Sequence, residues 1–288
     1  MTATLLETGE WAKRRRRTEE LTKRWPFSAD VLAFYAALLD VQERAYLDAL
    51  EDAPQPDALA AYTAERVMPR VIGLSAASGP PPLVAAVLER FDELDFTAVI
   101  AGWLRGDELP AIDRYLARAA TGPVLEALGA AAGAACTGPR NGVYCPHCGG
   151  PPQVAYFASS PEDLVTAHRY LMCARCSGSW AYSRLTCGAC GETDTSKLLV
   201  YGEVGTSQAE ISATVVKPGA LRAEIPTDAR FPHLRIDGCR TCSHYLLTVD
   251  LEREPNAVPL VDEIGAIPLD LYAKDLGLTK LVPNIMGI

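Results

Sequence analysis

Up to about residue 138 the apolar positions recur at helical spacing. Val31, Phe34, Leu38, Val41 and Ala45 line one face of a helix that opens at Ser28 or Asp30 and closes before Pro54. Further helical segments are expected at Asp57–Met68, Pro82–Leu94, Phe96–Leu104, Pro110–Ala120 and Pro123–Ala135. Several carry proline near their start, where the missing N–H has no intrahelical acceptor to lose. Short Pro/Gly breaks between them predict a compact helical domain over residues 1–138. The cluster Thr137-Gly138-Pro139-Arg140-Asn141-Gly142 then ends the helical pattern. Beyond it stand short β-rich runs: Val154–Phe157, Tyr170–Cys173, Leu198–Tyr201, Ile211–Val216 and Tyr245–Leu251. Their length suits small hairpins. Val261–Leu276 returns to a helical pattern, with Asp262, Glu263, Asp270 and Asp275 as its acidic positions and Gly277 placed to end it in a left-handed cap.

The chain has 288 residues, enough for two or three domains with a well-buried core. Its formal net charge of -9 disfavours nonspecific attraction to nucleic-acid phosphates or anionic lipid. The half from Arg140 onward has 13 basic and 16 acidic residues, so it is not basic either. No run of about 18 apolar residues appears, so no stable membrane insertion is expected. Arg14–Arg17 resembles a twin-arginine signal, but Thr18-Glu19-Glu20 stands where an apolar segment should follow. A solvated helix end and an unexported, cytoplasmic protein are the expectation.

The chemistry lies in four Cys-x-x-Cys pairs: Cys145/Cys148, Cys173/Cys176, Cys187/Cys190 and Cys239/Cys242. Each pair in a tight turn directs two sulfurs at one point, and two facing turns make the tetrahedral thiolate set that zinc or a single iron prefers. Without an export signal, such spacing reads as metal ligation rather than disulfides. The residue after each second cysteine is Gly, Ser, Gly, Ser in order. That alternation predicts two tandem modules at 139–184 and 185–288, with ligand loops of 24 and 48 residues, over a cross-braced pairing or thioredoxin-like redox pairs. Zinc, mononuclear iron and a cubane cluster all accept four cysteines, so the metal stays open. A site closed by four protein ligands lacks the open position that hydrolytic zinc needs.

Around these pairs, His147 and His244 are either groups beside a ligand turn or substitute ligands, and complete pairs favour the former. Cys136, among alanines, is expected as a small buried residue. His168 and His233 have no catalytic pattern near them, and Trp180 is expected to pack on its hairpin. Arg169, Arg175 and Arg184 bracket the second pair with Tyr170, Trp180 and Tyr182. Glu162, Asp163, Glu192 and Asp194 nearby make a solvated mixed face the expectation over a basic patch. No nucleophile elbow, phosphate loop or zinc-protease motif is present.

Cys145-Pro146-His147-Cys148-Gly149-Gly150-Pro151-Pro152, Arg169-Tyr170-Leu171-Met172-Cys173-Ala174-Arg175-Cys176 with Trp180, Cys187-Gly188-Ala189-Cys190-Gly191 and Cys239-Arg240-Thr241-Cys242, behind a helical half, resemble FdhE, the formate dehydrogenase accessory family. The resemblance implies a multidomain α+β protein: an all-helical N-terminal domain, two rubredoxin-like (zinc-ribbon-like) four-cysteine modules, and a C-terminal helix. It implies a non-enzymatic cytoplasmic chaperone that binds the formate dehydrogenase catalytic subunit before export and holds two metal ions, iron or zinc, on those eight cysteines. A rubredoxin-like electron carrier acting on the dehydrogenase is the alternative, and a zinc-ribbon nucleic-acid binder a third, disfavoured by the acidic balance. A monomer or weak dimer is expected.

Overall fold

A computed structural model describes residues 9–90, 95–159, 167–203 and 229–288, so the expected strand Ile211–Val216, the end of the segment Pro82–Leu94, and Glu162 and Asp163 lie outside the described residues. The chain divides into two compact units: Met1–Gly150 with Arg175–Gly178 and Ile285–Gly287, and Pro151–Ala174 with Ser179–Asn284 and Ile288.

The first unit is helical. Its elements are α1 (Glu10–Arg24), α2 (Ala29–Asp52), α3 (Leu59–Arg66), α4 (Met68–Ser78), α5 (Pro81–Arg90), α6 (Phe96–Arg105), α7 (Ala111–Leu128) and the single turn α8 (Ala132–Ala135). Along α2 the buried stripe is Leu32, Phe34, Tyr35, Leu38, Leu39, Gln42, Ala45 and Ala49, while Val31 and Val41 are only half-buried at its edge. The stripe is broader than the expected one because α2 packs against both α1 and α7. Each fully buried leucine here stabilises the unit by about 1.5–3 kcal/mol. Asp95 caps α6 by accepting from the Ala98 amide at 3.0 Å, and Gly106, at φ +87°, ends it.

Two expectations are corrected in this unit. Arg14–Arg17 do not form a solvated end: Arg14 and Arg17 are buried, Arg14 pairing with Glu126 at 3.0 Å and lying 4.5 Å over the Trp11 ring. Nor does Pro123 start a helix. It sits inside α7, where proline cannot donate to the carbonyl four residues back. That carbonyl, Ala119 O, instead accepts from Gln42 Nε2 of α2 at 3.0 Å, so a neighbouring side chain replaces the missing backbone bond.

The second unit carries one sheet, in the order β3 (Ser179–Ala181), β2 (His168–Cys173), β1 (Pro152–Ala158), β6 (His244–Asp250), β5 (Leu234–Cys239), β4 (Leu198–Tyr201), with β7 (Thr279–Lys280) also on β6. The strands flanking the two cysteine modules are thus joined in a single sheet by the parallel pairing of β1 with β6, Val154 opposite Leu247. Register places Ala155, Phe157, Arg169, Leu171, Arg235, Asp237, Leu246 and Thr248 on one face. On that face Ala155, Leu171 and Leu246 form a buried cluster with Trp180 against it, as expected for a hairpin-packed tryptophan.

The opposite face is covered by the C-terminal helices α9 (Pro259–Gly265) and α10 (Ile267–Asp275), two helices where one was expected. Their acidic positions are mostly not solvent-facing. Asp262 is buried against His233 at 2.7 Å, and Glu263 and Asp270 are buried on either side of Lys280 at 2.8 and 3.0 Å. Tyr245 donates to Asp270 at 2.7 Å. Burial pushes the Glu263 carboxyl up, whereas Lys280 is held above its ordinary value because its two carboxylates outweigh its burial. Gly277, at φ +76°, follows α10 as expected.

Candidate metal centres

All four Cys-x-x-Cys turns share one backbone device. The residue after the second cysteine has positive φ in every case: Gly149 +69°, Ser177 +56°, Gly191 +76° and Ser243 +56°. In three of them its amide donates to the carbonyl of the first cysteine, at 3.0, 3.0 and 2.9 Å for Gly149, Gly191 and Ser243. Glycine takes this conformation without strain, whereas serine does so at a cost the surrounding turn must offset. At Gly149 the need is also steric, since a Cβ there would lie 2.9 Å from the Gly138 backbone.

The turns pair in sequence order. The sulfurs of Cys145, Cys148, Cys173 and Cys176 lie within 4.8 Å of one another, and so do those of Cys187, Cys190, Cys239 and Cys242. This is the tandem arrangement, not the cross-brace. All nine cysteines are free thiols. The sulfur separations are 3.7 Å for Cys145/Cys176, 3.9 Å for Cys187/Cys242 and 3.8 Å for Cys190/Cys239. A tetrahedron with bonds of about 2.3 Å, as from thiolate to zinc, has edges of about 3.8 Å, so each set fits one four-coordinate ion. Both groups therefore have the donors and the spacing to bind a metal ion.

Their surroundings differ. Cys145, Cys148, Cys173 and Cys176 are all buried. Cys136 hydrogen-bonds the Cys148 sulfur, and that bond, with burial, pushes its own thiol well up. The Arg175 guanidinium is buried behind the turn, donating to the carbonyls of Thr137 and Cys148 at 3.1 Å each and lying 5.7 Å over the Trp103 ring. In the second set Cys187 and Cys239 are buried, Cys242 is half-buried and Cys190 is exposed. Burial pushes the Cys187 and Cys242 thiols up, while at Cys239 the amides of Cys242 and Thr241 outweigh burial and hold the thiol low. The Ala189 amide donates to the Cys187 sulfur at 3.3 Å. Glu192 latches this set by accepting from Thr241 Oγ1 at 2.5 Å, which holds its carboxyl down at about 2.

No protein-family model matches the chain. It is 28% identical over 144 residues to the protein FdhE homolog of Aquifex aeolicus, and 29% over 142 residues to that of Pseudomonas aeruginosa. The matched stretches cover half of this chain but only 41% and 38% of those relatives. The crystal structure of the FdhE protein from Pseudomonas aeruginosa shares its fold, with a TM-score of 0.60 at 23% identity over 96% of this chain and 94% of that one. The chain is thus similar to FdhE homologues over half of its own length and shares the fold of one of them.

Among the residues beside the two sets, the histidines stand as expected and the arginines do not. His147 and His244 are not in either sulfur group. His147 is exposed and offers its carbonyl to Arg140, while His244 Nδ1 donates to the Cys242 carbonyl at 2.7 Å and so braces a ligand turn. Arg169 and Arg175 are buried rather than part of a solvated face. Their carbonyl acceptors, Thr186 for Arg169 and Cys148 for Arg175, lie in the turns themselves. Sequence reasoning missed Cys136 as a partner of Cys148 and Glu192 as a latch. Only the latter left a signal, an acidic residue two past Cys190.

Proposed function

We propose that the chain is a non-enzymatic accessory factor in the maturation of a respiratory formate dehydrogenase. It acts in the cytoplasm on the catalytic subunit before export. The eight cysteines, Cys145, Cys148, Cys173 and Cys176 with Cys187, Cys190, Cys239 and Cys242, are the thiolate ligands of two ions, iron or zinc, one for each of the modules at 139–184 and 185–288. One observation carries the reading: two closed four-sulfur sets on a chain similar to FdhE homologues. When bound, the metal contributes folding free energy and leaves no open position for a hydrolytic water. The chain's own part is to hold the turns rigid through Arg175, His244 and Glu192, and so to fix the surface a partner meets. No described helix is long and apolar enough to cross a membrane, which suits a factor that works before export.

The test pairs capture with physiology. The tagged, metal-loaded full chain is expected to retain a formate dehydrogenase catalytic subunit, and a strain lacking the chain to lose formate dehydrogenase activity. Absence of capture with normal activity in that strain overturns the reading.

A second reading, an electron carrier acting on the same partner, is supported by the exposure of Cys190, which brings the second set to the protein surface. Four-thiolate iron takes up one electron without a change of ligands. Metal analysis and visible spectroscopy on protein purified without oxygen separate the two. Colourless protein with two zinc ions ends the electron-carrier reading.

A further inference from the structure

Most of the second cysteine set is fastened to the fold. The Ala189 amide donates to the Cys187 sulfur at 3.3 Å, and the Tyr182 hydroxyl donates to the Cys187 carbonyl at 2.9 Å. Cys239 is buried, and the amides of Cys242 and Thr241 meet its sulfur. Cys242 is half-buried, and the His244 amide meets its sulfur. The Thr279 amide of β7 donates to the Ser243 carbonyl at 2.8 Å, and the next residue, Lys280, is buried between Glu263 and Asp270 at 2.8 and 3.0 Å. That strand ties the Cys239–Cys242 turn to α9 and α10. The sulfurs of Cys187, Cys239 and Cys242 therefore cannot move outward without breaking such contacts. Cys190 ends its turn exposed, with its sulfur 3.8 Å from that of Cys239.

An ion on four thiolates exchanges a ligand most readily with another soft donor, a thiolate, rather than with a carboxylate. The exchange requires the incoming sulfur to reach the ion. In the first set every sulfur around that position is buried. In the second set the approach lies on the side of Cys190, whose departure disturbs none of the contacts that hold the other three sulfurs.

We propose that the second set is a metal-transfer site, which passes its ion through Cys190 to an acceptor presenting a pair of cysteine thiols. The proposal rests on the reading of both sets as metal centres and gives one of them a use. In the first step an acceptor thiolate takes the place of Cys190 at the ion. One sulfur–metal bond forms as one breaks, Cys190 takes up the proton that the acceptor thiol releases, and no electron moves. The acceptor's second thiol then displaces a further sulfur in the same way. The fastened turns keep the emptied set in shape, and the first set keeps its ion.

The full chain, loaded with two zinc ions and checked by elemental analysis, is mixed with increasing amounts of a metal-free peptide that carries one Cys-x-x-Cys pair. Native mass spectrometry follows the ions, and alkylation mapping identifies the cysteines that lose them. One ion per chain is expected to pass to the peptide, at a rate proportional to peptide concentration and about tenfold or more above that of the other ion. Cys187, Cys190, Cys239 and Cys242 should become reactive while Cys145, Cys148, Cys173 and Cys176 stay protected. A peptide with histidines in place of its cysteines should draw no ion. Cys190→Ser and Cys239→Ser each remove one sulfur, the first at an exposed corner and the second at a buried one. The second-order constant for transfer is expected to be about tenfold larger in Cys190→Ser than in Cys239→Ser. Transfer independent of peptide concentration, equal transfer of both ions, equal transfer to the histidine peptide, or equal constants in the two variants overturns the proposal. A parent chain that holds fewer than two ions before the peptide is added overturns the metal-centre reading itself, and this proposal with it.

Discussion

Cys145, Cys148, Cys173 and Cys176 are all buried, whereas in the second set Cys190 is exposed and Cys242 half-buried, although the four turns share the same positive-φ device. The turn sets where two sulfurs point, and what surrounds it sets who can reach them. Around the first set stand a thiol, Cys136, and a buried guanidinium, Arg175, whose Nη1 donates to two carbonyls. Around the second stand exposed latches, Glu192 on Thr241 and Lys197 on Glu192. One backbone motif has thus been given a closed setting and an open one. The closed set is suited to holding shape, and the open set to exchange with something outside the protein.

The sharpest way to break this contrast is to delete ligands. Cys145→Ser with Cys148→Ser is expected to remove its metal and unfold the surrounding structure, because metal-linked folding energy at such sites is on the order of 10 kcal/mol and the buried turns lose their centre. Cys187→Ser with Cys190→Ser is expected to lower the melting temperature by less, since part of that set is already solvated. Melting curves and metal content of the two double variants measure the difference, and equal losses would remove the distinction. A rate makes the same point next: iodoacetamide should label Cys190 well before any cysteine of the first set, and a chelator should release metal in two phases, the faster from the second set. Peptide mass mapping during the reaction checks the order.

The pairing of the cysteines was legible in the sequence because a ligand turn is local. A Cys-x-x-Cys followed by Gly or Ser contains its own geometry, and the Gly/Ser alternation marks which turns belong together. Most helices and four of the described strands were legible for the same reason, through periodicity. What was not legible is long-range compensation. Pro123 reads as a break until Gln42, 77 residues from Ala119, fills the bond it forfeits. β5 reads poorly as a strand because it holds Arg235, Asp237 and Gly238; its two charges pair with each other, and Asp237 is further met by Arg169 of β2 and Thr248 of β6, which only the folded sheet brings near. The single sheet rests on a parallel contact between β1 and β6 that no local pattern announces.

Arg175 tests whether the closed setting depends on its buried guanidinium. Arg175→Met keeps much of the apolar stem but leaves the Thr137 and Cys148 carbonyls without their donor. A loss of about 2–4 kcal/mol is expected, with metal released more readily from the first set and the second unchanged. Denaturant unfolding followed by chelator kinetics reads both quantities. A variant as stable as the parent would show that the turn is held by its sulfurs alone.

The smallest expected effect concerns the latch of the open set. Thr241→Val removes the hydroxyl that donates to Glu192, the largest cause of that carboxyl's low value of about 2. In the variant the carboxyl should titrate closer to the ordinary carboxylate range, near 4.5. The sign follows from linkage: a carboxyl held low in the folded protein contributes stability that is full above the unfolded value, near 4.5, and is lost as pH falls towards 2. The latch therefore works at neutral pH in the parent and weakens only in acid, and the variant lacks that acid-dependent loss. Because Glu192 is only half-buried and lies at the surface, the gain is screened and is expected to appear mainly as local opening of the Thr241 turn. Carboxylate titration by nuclear magnetic resonance, with amide exchange at Thr241 and Cys242, reads both sides. Faster exchange at those amides in the variant, with the turns of the first set unchanged, is the expected result; unchanged exchange at both would mean that the open set owes its shape to the Cys-x-x-Cys turns and not to their surface contacts.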